Sequence, residues 1–469
     1  AEARLRAQKR NSTVSSILIS VLVIVLLGLI LAFILLPSLF VKSPTIVTYN
    51  AGAPDEEELQ KKQINTQIKR QTSAPSSSMA KVIASTTPSP TAIPVPEVDV
   101  PNPSTDFGSG DDFGDGWGDG GEGSGGGFGN IPATMRKRCS KADRLQRLAE
   151  NGGTPDCEEA VVKALRYFQK TQNQDGSWPS AKVSTTGLVL LAYLGHCETP
   201  LSEEFGETVT AAITYLVNVN MKNKGRMADD LKNKHWPYEH AIATYAICEA
   251  YTFCKQLGVN MPNLEDAAQK SVQWIIDNQH KSGGWDYAYD ESGNRGGDLS
   301  IVAWHMQALK AGHHTGLDFR NYRSCVSKGV DYVEARQGSN GAFAYTGTTG
   351  RIGLTGAGAL VLQQHKGSSN SSARKGCRFI EKEATFGFKK GPTNLYGHYY
   401  HSQAMINNGG NPWKKYNALF RDELLDNQNE DGSWPAPDGD KWSRGTQMRT
   451  AFCTLMMEVY YRFLPGTGQ

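Results

Sequence analysis

The residues of this sequence that could contact a ligand cluster at the starts of its apolar segments. Ten of them combine aromatic rings with a few polar groups: Trp236, Tyr238, Glu239, His240, Ser300, Trp304, Tyr396, Tyr399, His401 and Gln403. A cavity lined in this way suits an apolar ligand that a small number of polar contacts orient. These residues are therefore our candidates for the lining of a ligand cavity.

Asp298 is the candidate catalytic acid, because it stands directly before the apolar segment that begins Leu299-Ser300-Ile301. A carboxylate at this position is also typical of a helix N-cap, which accepts hydrogen bonds from the first backbone N–H groups. We favour the cap and keep the acid as an alternative. Two carboxylates roughly 6.5–9.5 Å apart would instead indicate an inverting glycosidase. The candidates for such a pair are Glu239, Asp286, Asp290 and Asp298.

Three histidines of the apolar segments, His240, His305 and His401, are the candidate metal ligands. No short ligand spacing such as His-x-x-x-His accompanies them. We therefore expect histidines whose ring nitrogens are satisfied inside the protein, and we predict neither a metal nor a cofactor.

A repeated phrase identifies the elements that must position these residues. Each copy has Gln, three residues, Gly, one residue and an aromatic side chain. The four copies are Gln172, Gly176 and Trp178; Gln279, Gly283 and Trp285; Gln337, Gly341 and Phe343; and Gln428, Gly432 and Trp434. A large apolar residue stands four positions before each Gln, one helical turn away on the same face. We expect the Gln to bond free backbone groups at a helix end while the aromatic ring packs over the turn.

The long gaps between copies predict two degenerate corners, one at Leu216, Asn220 and Gly225 and the other at Phe379, Glu383 and Gly387. Six units of two helices result, and self-similarity of this kind indicates stacked supersecondary units. The runs after the phrases are apolar on most sides, whereas the helices that end in the phrases are more polar. We therefore predict an all-α protein, an (α/α)6 toroid with an apolar inner ring around a central cavity.

The phrase resembles the QW motif of squalene and oxidosqualene cyclases, which protein prenyltransferase β subunits share in looser form. The resemblance covers the chain from about Arg138 to Leu464. The chain resembles even more closely the membrane-anchored prenyltransferase and squalene oxidase repeat proteins of Planctomycetes and Verrucomicrobia. The stretches that carry this resemblance are Ala149–Thr154, Gly195–Pro200 and Tyr399–Gln403. The resemblance implies the terpenoid cyclase fold, with function to be sought in particular residues rather than in the fold.

The same resemblance implies where cyclase chemistry would sit. Squalene–hopene cyclases carry a DxDD motif at a helix start, and here the matching start has the single acid Asp298. The zinc ligands of prenyltransferases have no counterpart. We therefore expect a toroid without an intact catalytic motif that binds an apolar, isoprenoid-like ligand or an envelope protein. The alternatives are a terpene or squalene cyclase that uses Asp298 as its acid and a glycan-active toroid hydrolase.

The N-terminal part of the chain predicts a membrane anchor and a spacer. Residues 16–36 carry no charge and would span roughly 31 Å, enough for the hydrocarbon core of a bilayer. Basic residues precede this segment, so we place the N-terminus in the cytoplasm and the toroid in the periplasm of a bacterial inner membrane. The predicted parts are a basic tail (1–15), a single-pass transmembrane anchor (16–40), a disordered linker rich in Pro, Ser and Thr and then in Gly and Asp (41–131), and the toroid (132–469).

The charge and the cysteine content of the chain limit the partners and the disulfides that we expect. A net charge of +2 on 469 residues gives no case for nucleic acid. Eight cysteines in an exported domain permit disulfides. Cys139, Cys157 and Cys197 lie near the first helical hairpin, so we expect a pair among these three, without a choice of which.

Overall fold

The computed structural model describes residues 138–292, 295–389, 393–441 and 443–462. The predicted anchor and linker lie outside these residues. The helices in chain order are α1 (Lys141–Glu150), α2 (Pro155–Thr171), α3 (Lys182–Gly195), α4 (Gly206–Lys222), α5 (Trp236–Leu257), α6 (Leu264–Asp277), α7 (Leu299–His314), α8 (Tyr322–Glu334), α9 (Ile352–Lys366), α10 (Ser371–Glu383), α11 (Leu395–Asn408), α12 (Gly410–Asp426), α13 (Gly445–Met457) and α14 (Val459–Arg462). A 3-10 turn spans Tyr287–Tyr289.

Twelve of these helices form two concentric rings, as the alternation of polar and apolar helices predicted. The inner helices are α3, α5, α7, α9, α11 and α13, and each packs against the next around the circle, with α13 returning to α3. They are buried on nearly every side; Lys182 alone among the residues of α3 is not fully buried. The outer helices α2, α4, α6, α8, α10 and α12 bury one stripe each, which is typical of amphipathic helices at a surface.

The glutamines of the repeated phrase fasten four of the six outer helices to the next one around the ring. Gln172 Nε2 donates to Gly176 O in its own turn at 3.0 Å and to Thr208 O at the start of α4 at 3.0 Å. The other three copies make the same pair of bonds, from Gln279 to Gly283 O and Cys325 O, from Gln337 to Gly341 O and Ser372 O, and from Gln428 to Gly432 O and Ala160 O. The predicted role of the phrase as a fastener between hairpins is therefore confirmed.

The glycines of the phrase need their missing side chain for two reasons. Each has φ near +90°, a conformation that costs other residues energy. Each also lies against a backbone carbonyl of the next outer helix, three residues after the carbonyl that the glutamine bonds. The contacted carbonyls are those of Ala211, Lys328, Lys375 and Lys163.

The aromatic residues of the phrase lie over the end of the outer helix with their indole nitrogens satisfied. Trp178 Nε1 donates to Phe168 O, Trp285 Nε1 to Ile275 O, and Trp434 Nε1 to Leu424 O. The acceptors are the apolar residues four positions before each Gln, and all three are fully buried. Phe343, which lacks an indole, is equally buried in the fourth copy.

One of the two degenerate corners follows the rule and the other does not. Asn220 Nδ2 donates to Ala267 O at 3.3 Å, and Gly225 lies against Lys270, again three residues later. The other prediction is wrong: Glu383 is exposed and Phe379 only half buried. The buried stripe of α10 runs one residue out of the predicted register, through Ala373, Gly376, Cys377 and Ile380.

The two ends of the described chain meet at the C-terminal ends of the inner helices. Arg138 donates to Glu249 Oε1 at 2.5 Å and to Arg462 O at 3.0 Å, while Arg462 Nη2 donates to Glu249 Oε2 at 2.8 Å. A disulfide joins Cys139 to Cys197. It is one of the pairs that the sequence left open, and Cys157 is a buried free thiol.

The described helices differ from the predicted ones mainly at their ends. α1 was not predicted, and the last inner helix divides into α13 and α14. Among the described residues, none of the helices combines the length and the apolar character that crossing a membrane requires.

Candidate functional site

Polar side chains from three inner helices meet at the end of the ring where those helices begin, which we call the mouth. Tyr238 of α5 donates its hydroxyl hydrogen to Ser300 Oγ of α7 at 2.6 Å, because the Ser300 hydroxyl itself donates to Asp298 Oδ1 at 2.5 Å. Tyr396 of α11 donates to Ser300 O at 2.8 Å. The structure thus brings together four of the residues predicted from the sequence.

Asp298 is the N-cap of α7, as preferred from the sequence. Its Oδ1 accepts from Ser300 N at 2.9 Å, and its Oδ2 accepts from Arg295 Nη2 at 2.8 Å. Arg295 Nε also lies 3.5 Å from Asp286 Oδ2, so one guanidinium bridges two buried carboxylates. Burial raises the pKa of Asp298 above its usual value, and the Ser300 donors and Arg295 oppose this rise only in part. Both carboxylate oxygens already accept hydrogen bonds within the protein, and this geometry argues against Asp298 as an acid that delivers a proton to a ligand.

The loop before α7 holds a tyrosine at the mouth at some cost in backbone strain. Ala288 and Tyr289 both have φ near +55°, which non-glycine residues rarely adopt. Tyr289 is anchored by its hydroxyl, which lies 2.7 Å from His305 Nε2. Tyr287, on the other side of the turn, is only half buried. Strain of this kind is concentrated at functional sites, so the loop is a candidate binding element.

Tyr287 and its neighbours form a half-buried aromatic platform, which we define as His235, Tyr238 and Tyr287. The His235 ring stacks on Tyr238 at 6.4 Å and meets Tyr287 edge-on at 5.0 Å between centroids. Arg295 lies over the Tyr287 ring at 5.2 Å and Lys234 at 5.9 Å. The platform therefore offers flat apolar surface beside the charged groups of the mouth.

Glu239 stands next to Tyr238 but faces the neighbouring side of the mouth. Its Oε2 accepts from Asp229 N at 2.9 Å. Burial raises its pKa to about 7, the nearby Asp229 carboxylate adds to this, and the Asp229 backbone N–H opposes it. A carboxyl with this pKa can carry a proton at neutral pH. Of the other predicted acids, Asp290 is exposed, and its carboxylate accepts from Ser292 N.

Side chains fill the middle of the ring at the level of Trp304. The prediction of an apolar cavity is therefore wrong at this level. Trp304 of α7 stacks on Tyr399 of α11 at 5.1 Å and meets Tyr400 at 5.4 Å between centroids, and all three are almost wholly buried. Gln307 Nε2 reaches Gln403 Oε1 at 3.3 Å. Trp304, Tyr399 and Gln403 therefore pack on one another rather than line a hollow.

The remaining predicted residues are also structural. His240 accepts from Met227 N at Nδ1 and donates from Nε2 to Ser271 O, and His401 Nε2 donates to Ile352 O. Both rings are buried. Both ring nitrogens of His240 have a partner, as expected, whereas His401 Nδ1 is buried without a hydrogen bond to any described residue. Trp236 is buried against Tyr289, with ring centroids 4.7 Å apart. His305 donates to Ile301 O within its own helix. Among the described residues, no group of three His, Cys, Asp or Glu side chains is arranged to hold a metal ion.

Sequence reasoning missed Tyr287, Arg295 and Asp229. The first two lie in the segment between Trp285 and α7, where tyrosines and acids gather in an unusually long connection after a repeated phrase. Long connections on a rigid scaffold often carry function, and this length was the signal that could have indicated them. Asp229 had no comparable signal, because its role depends on the fold that brings it to Glu239.

No protein-family model and no curated protein matches this sequence. Solved structures do match. An inactive variant of the GH76A α-1,6-mannanase of Salegentibacter sp. HEL1_6, in complex with α-1,6-mannotetrose, has a TM-score of 0.50 at 10% identity over 65% of this chain and 98% of that one. The type II terpene cyclase MstE from Scytonema has a TM-score of 0.43 at 14% identity, over 65% of this chain and 98% of that one. The likeness to the mannanase supports the α/α toroid as the fold of this chain.

Proposed function

We propose that this chain is a carbohydrate-binding α/α toroid whose binding site is the mouth. The observation that carries the proposal is the aromatic platform beside the exposed Arg295, whose guanidinium bridges the buried carboxylates of Asp286 and Asp298. Sugar rings present apolar C–H faces that pack on tyrosine, and their hydroxyls bond carboxylates and guanidinium groups. Both kinds of group occur together at the mouth.

An apolar ligand in the middle of the ring is a weaker proposal. Such a ligand would have to displace the stacked Trp304 and Tyr399, whose packing with Tyr400 contributes to the core. The mouth, by contrast, has tyrosine hydroxyls and charges that an isoprenoid could not satisfy. In the mannanase neighbour the fold holds α-1,6-mannotetrose, whereas for this chain the proposal rests on its own residues.

The test is a glycan array probed with the purified full chain, followed by calorimetry on the strongest binder. Tyr287→Ala and Arg295→Ala each remove a group at the surface of the mouth and should weaken binding at least tenfold. Arg374→Ala changes an exposed arginine on α10 and is the matched control. A full chain that binds no glycan, and that carries a polyprenoid lipid in native mass spectrometry, would overturn the proposal in favour of an apolar ligand.

The same proposal includes a membrane tether, formed by the anchor and the linker that the sequence predicts. The uncharged residues 16–36 and the basic residues before them support a single-pass anchor in a bacterial inner membrane, with a disordered linker between anchor and toroid. A toroid on such a tether would meet cell-envelope glycans or an envelope protein. Retention of the full chain in membranes after alkaline carbonate washing, with release when residues 16–36 are deleted, is the expected result.

A further inference from the structure

A pocket lies at the end of the ring opposite the mouth, where α7 ends and α8 begins. Its volume is about 430 Å³, within the roughly 300–1,000 Å³ of pockets that bind small ligands. Its walls include the rings of His313, Phe319 and Tyr322 and the charged side chains of Arg323 and Asp318. The pocket therefore combines flat aromatic surface with charge.

Contacts with the body of the toroid hold the walls of this pocket in place. The His313 ring stacks on the Tyr322 ring at 5.6 Å between centroids, and the Tyr322 hydroxyl donates to Leu309 O at 2.9 Å. The loop between α7 and α8 is bonded to α6, because Arg320 N donates to Gln273 Oε1 at 3.0 Å. The pocket is thus preformed.

Positive charge predominates around the pocket. Residues 310–324 contain three Lys or Arg side chains and two His, against the single acid Asp318. Partial burial lowers the pKa of His313, and the charges of Lys310 and Arg323 lower it further. The charges that act on His313 are therefore both positive, and an anion in the pocket would be attracted to them.

The described chain begins at the same end of the ring. Arg138 donates to Glu249 Oε1, in the C-terminal half of α5, at 2.5 Å. Burial and the charge of Lys310 lower the pKa of His314, the last residue of α7, to about 3, and the charge of Arg138 contributes to this shift. The chain that precedes Arg138 therefore arrives on the side of the toroid that carries the pocket.

The sequence before Arg138 carries groups that complement this pocket. Residues 106–122, which lie outside the described part of the chain, have six acids, three large aromatic residues and no Lys or Arg. The acids are Asp106, Asp111, Asp112, Asp115, Asp119 and Glu122, and the aromatic residues are Phe107, Phe113 and Trp117. Residues 123–137 connect this segment to Arg138, and a coil of that length spans roughly 20 Å. The segment can therefore reach the pocket of its own chain.

We propose that residues 106–122 dock in this pocket of the same chain, with an aromatic ring against Phe319 and Tyr322 and carboxylates beside Arg323 and His313. Ion pairs at a surface are weak one by one. The short connection compensates for this weakness, because it holds the segment near the pocket at an effective concentration in the millimolar range. A dissociation constant of about 1 mM for the separate peptide would then half fill the pocket.

The inference is independent of the proposed function, because the pocket and the mouth lie at opposite ends of the ring. A docked segment leaves the mouth open to a glycan. The two proposals can therefore fail separately.

The test places the photoreactive residue p-benzoylphenylalanine at Trp117 of the full chain. Irradiation should link this residue to the peptide that contains residues 310–324 of the same chain, as identified by digestion and mass spectrometry. The same residue at Val95, which lies in the predicted linker outside the acidic segment, should give little of this product. About 1 M sodium chloride should reduce the yield from position 117, because it screens charges beyond about 3 Å.

Arg323→Glu should lower the yield roughly fivefold or more, because attraction to the acids becomes repulsion. Arg374→Glu is the matched control, since Arg374 is an exposed arginine near the start of α10, the next outer helix, and it should leave the yield unchanged. Links scattered over the toroid, links between two chains, or a yield that Arg323→Glu leaves unchanged would overturn the inference. Glycan binding should be the same in both variants.

Discussion

Gln428, at the end of the last outer helix, donates from Nε2 to the carbonyl of Ala160 in the first one at 2.8 Å. The two residues are 268 positions apart, and their bond closes the outer ring. It is the same bond that the other three glutamines make between consecutive helices. Closure therefore needs no special device, because the repeated phrase supplies it.

Gln428→Ala should destabilise the toroid by about 1–3 kcal/mol, because two backbone carbonyls lose a donor. Urea unfolding of the full chain measures this free energy. Gln146→Ala, which changes an exposed glutamine on α1, should shift the midpoint little. Equal midpoints for the Gln428 variant and the unaltered chain would contradict the closure account.

Gly283→Ala should cost more than Gly258→Ala, although both glycines have positive φ. A Cβ at Gly283 would collide with the carbonyl of Lys328, whereas one at Gly258 would meet nothing within 4 Å. We expect about 1 kcal/mol for Gly258, from strain alone, and about 1–3 kcal/mol more for Gly283, from overpacking. Thermal unfolding of both variants checks this order, and similar losses would show that the close approach is unimportant.

The architecture could be predicted from the sequence because the fastening residues recur. Gln172 and Trp178 indicate their corner by type and spacing, and the bonds they make are the same in every full copy that has a tryptophan. The prediction of a corner at Glu383 was wrong for the converse reason. No glutamine marks the turn there, so the apolar pattern alone had to set the register, and it was misread by one residue.

The site was harder to predict, because it depends on contacts between distant segments. Tyr238, Ser300 and Tyr396 were recognised as polar residues at helix starts, and their mutual bonds confirm that these starts converge. The filled centre was not foreseeable, since Trp304 and Tyr399 suit the wall of a hollow as well as a packed core. Only the stacking of the two rings in the structure, with centroids 5.1 Å apart, shows that they belong to a packed core.

The contribution of Glu239 to the stability of the chain should fall as pH rises from about 4.5 to 7. Burial raises its folded pKa to about 7, above its unfolded value, so its full contribution is present at low pH and is lost as pH rises through 7. The Asp229 and Asp230 carboxylates strengthen this shift and Arg444 weakens it. Glu239→Gln should therefore gain stability over the unaltered chain at pH 8 compared with pH 5. A difference that does not vary with pH would contradict the assignment.

The Cys139–Cys197 disulfide should stabilise the toroid by about 2–4 kcal/mol, because it closes a loop between residues 58 positions apart. A chain with both cysteines replaced by serine should unfold at lower urea concentration, and dithiothreitol should lower the midpoint of the unaltered chain alone. If the reductant shifted both proteins equally, the effect would not come from the Cys139–Cys197 disulfide.

The measurement that tests the central claim most directly is hydrogen–deuterium exchange of the full chain with and without the glycan that binds most strongly on the array. The account predicts protection of the backbone at 229–240 and 286–300, where the mouth lies. Protection confined to the middle of α7 and α11, around Trp304 and Tyr399, would show that the ligand enters the ring and would contradict a binding site at the mouth.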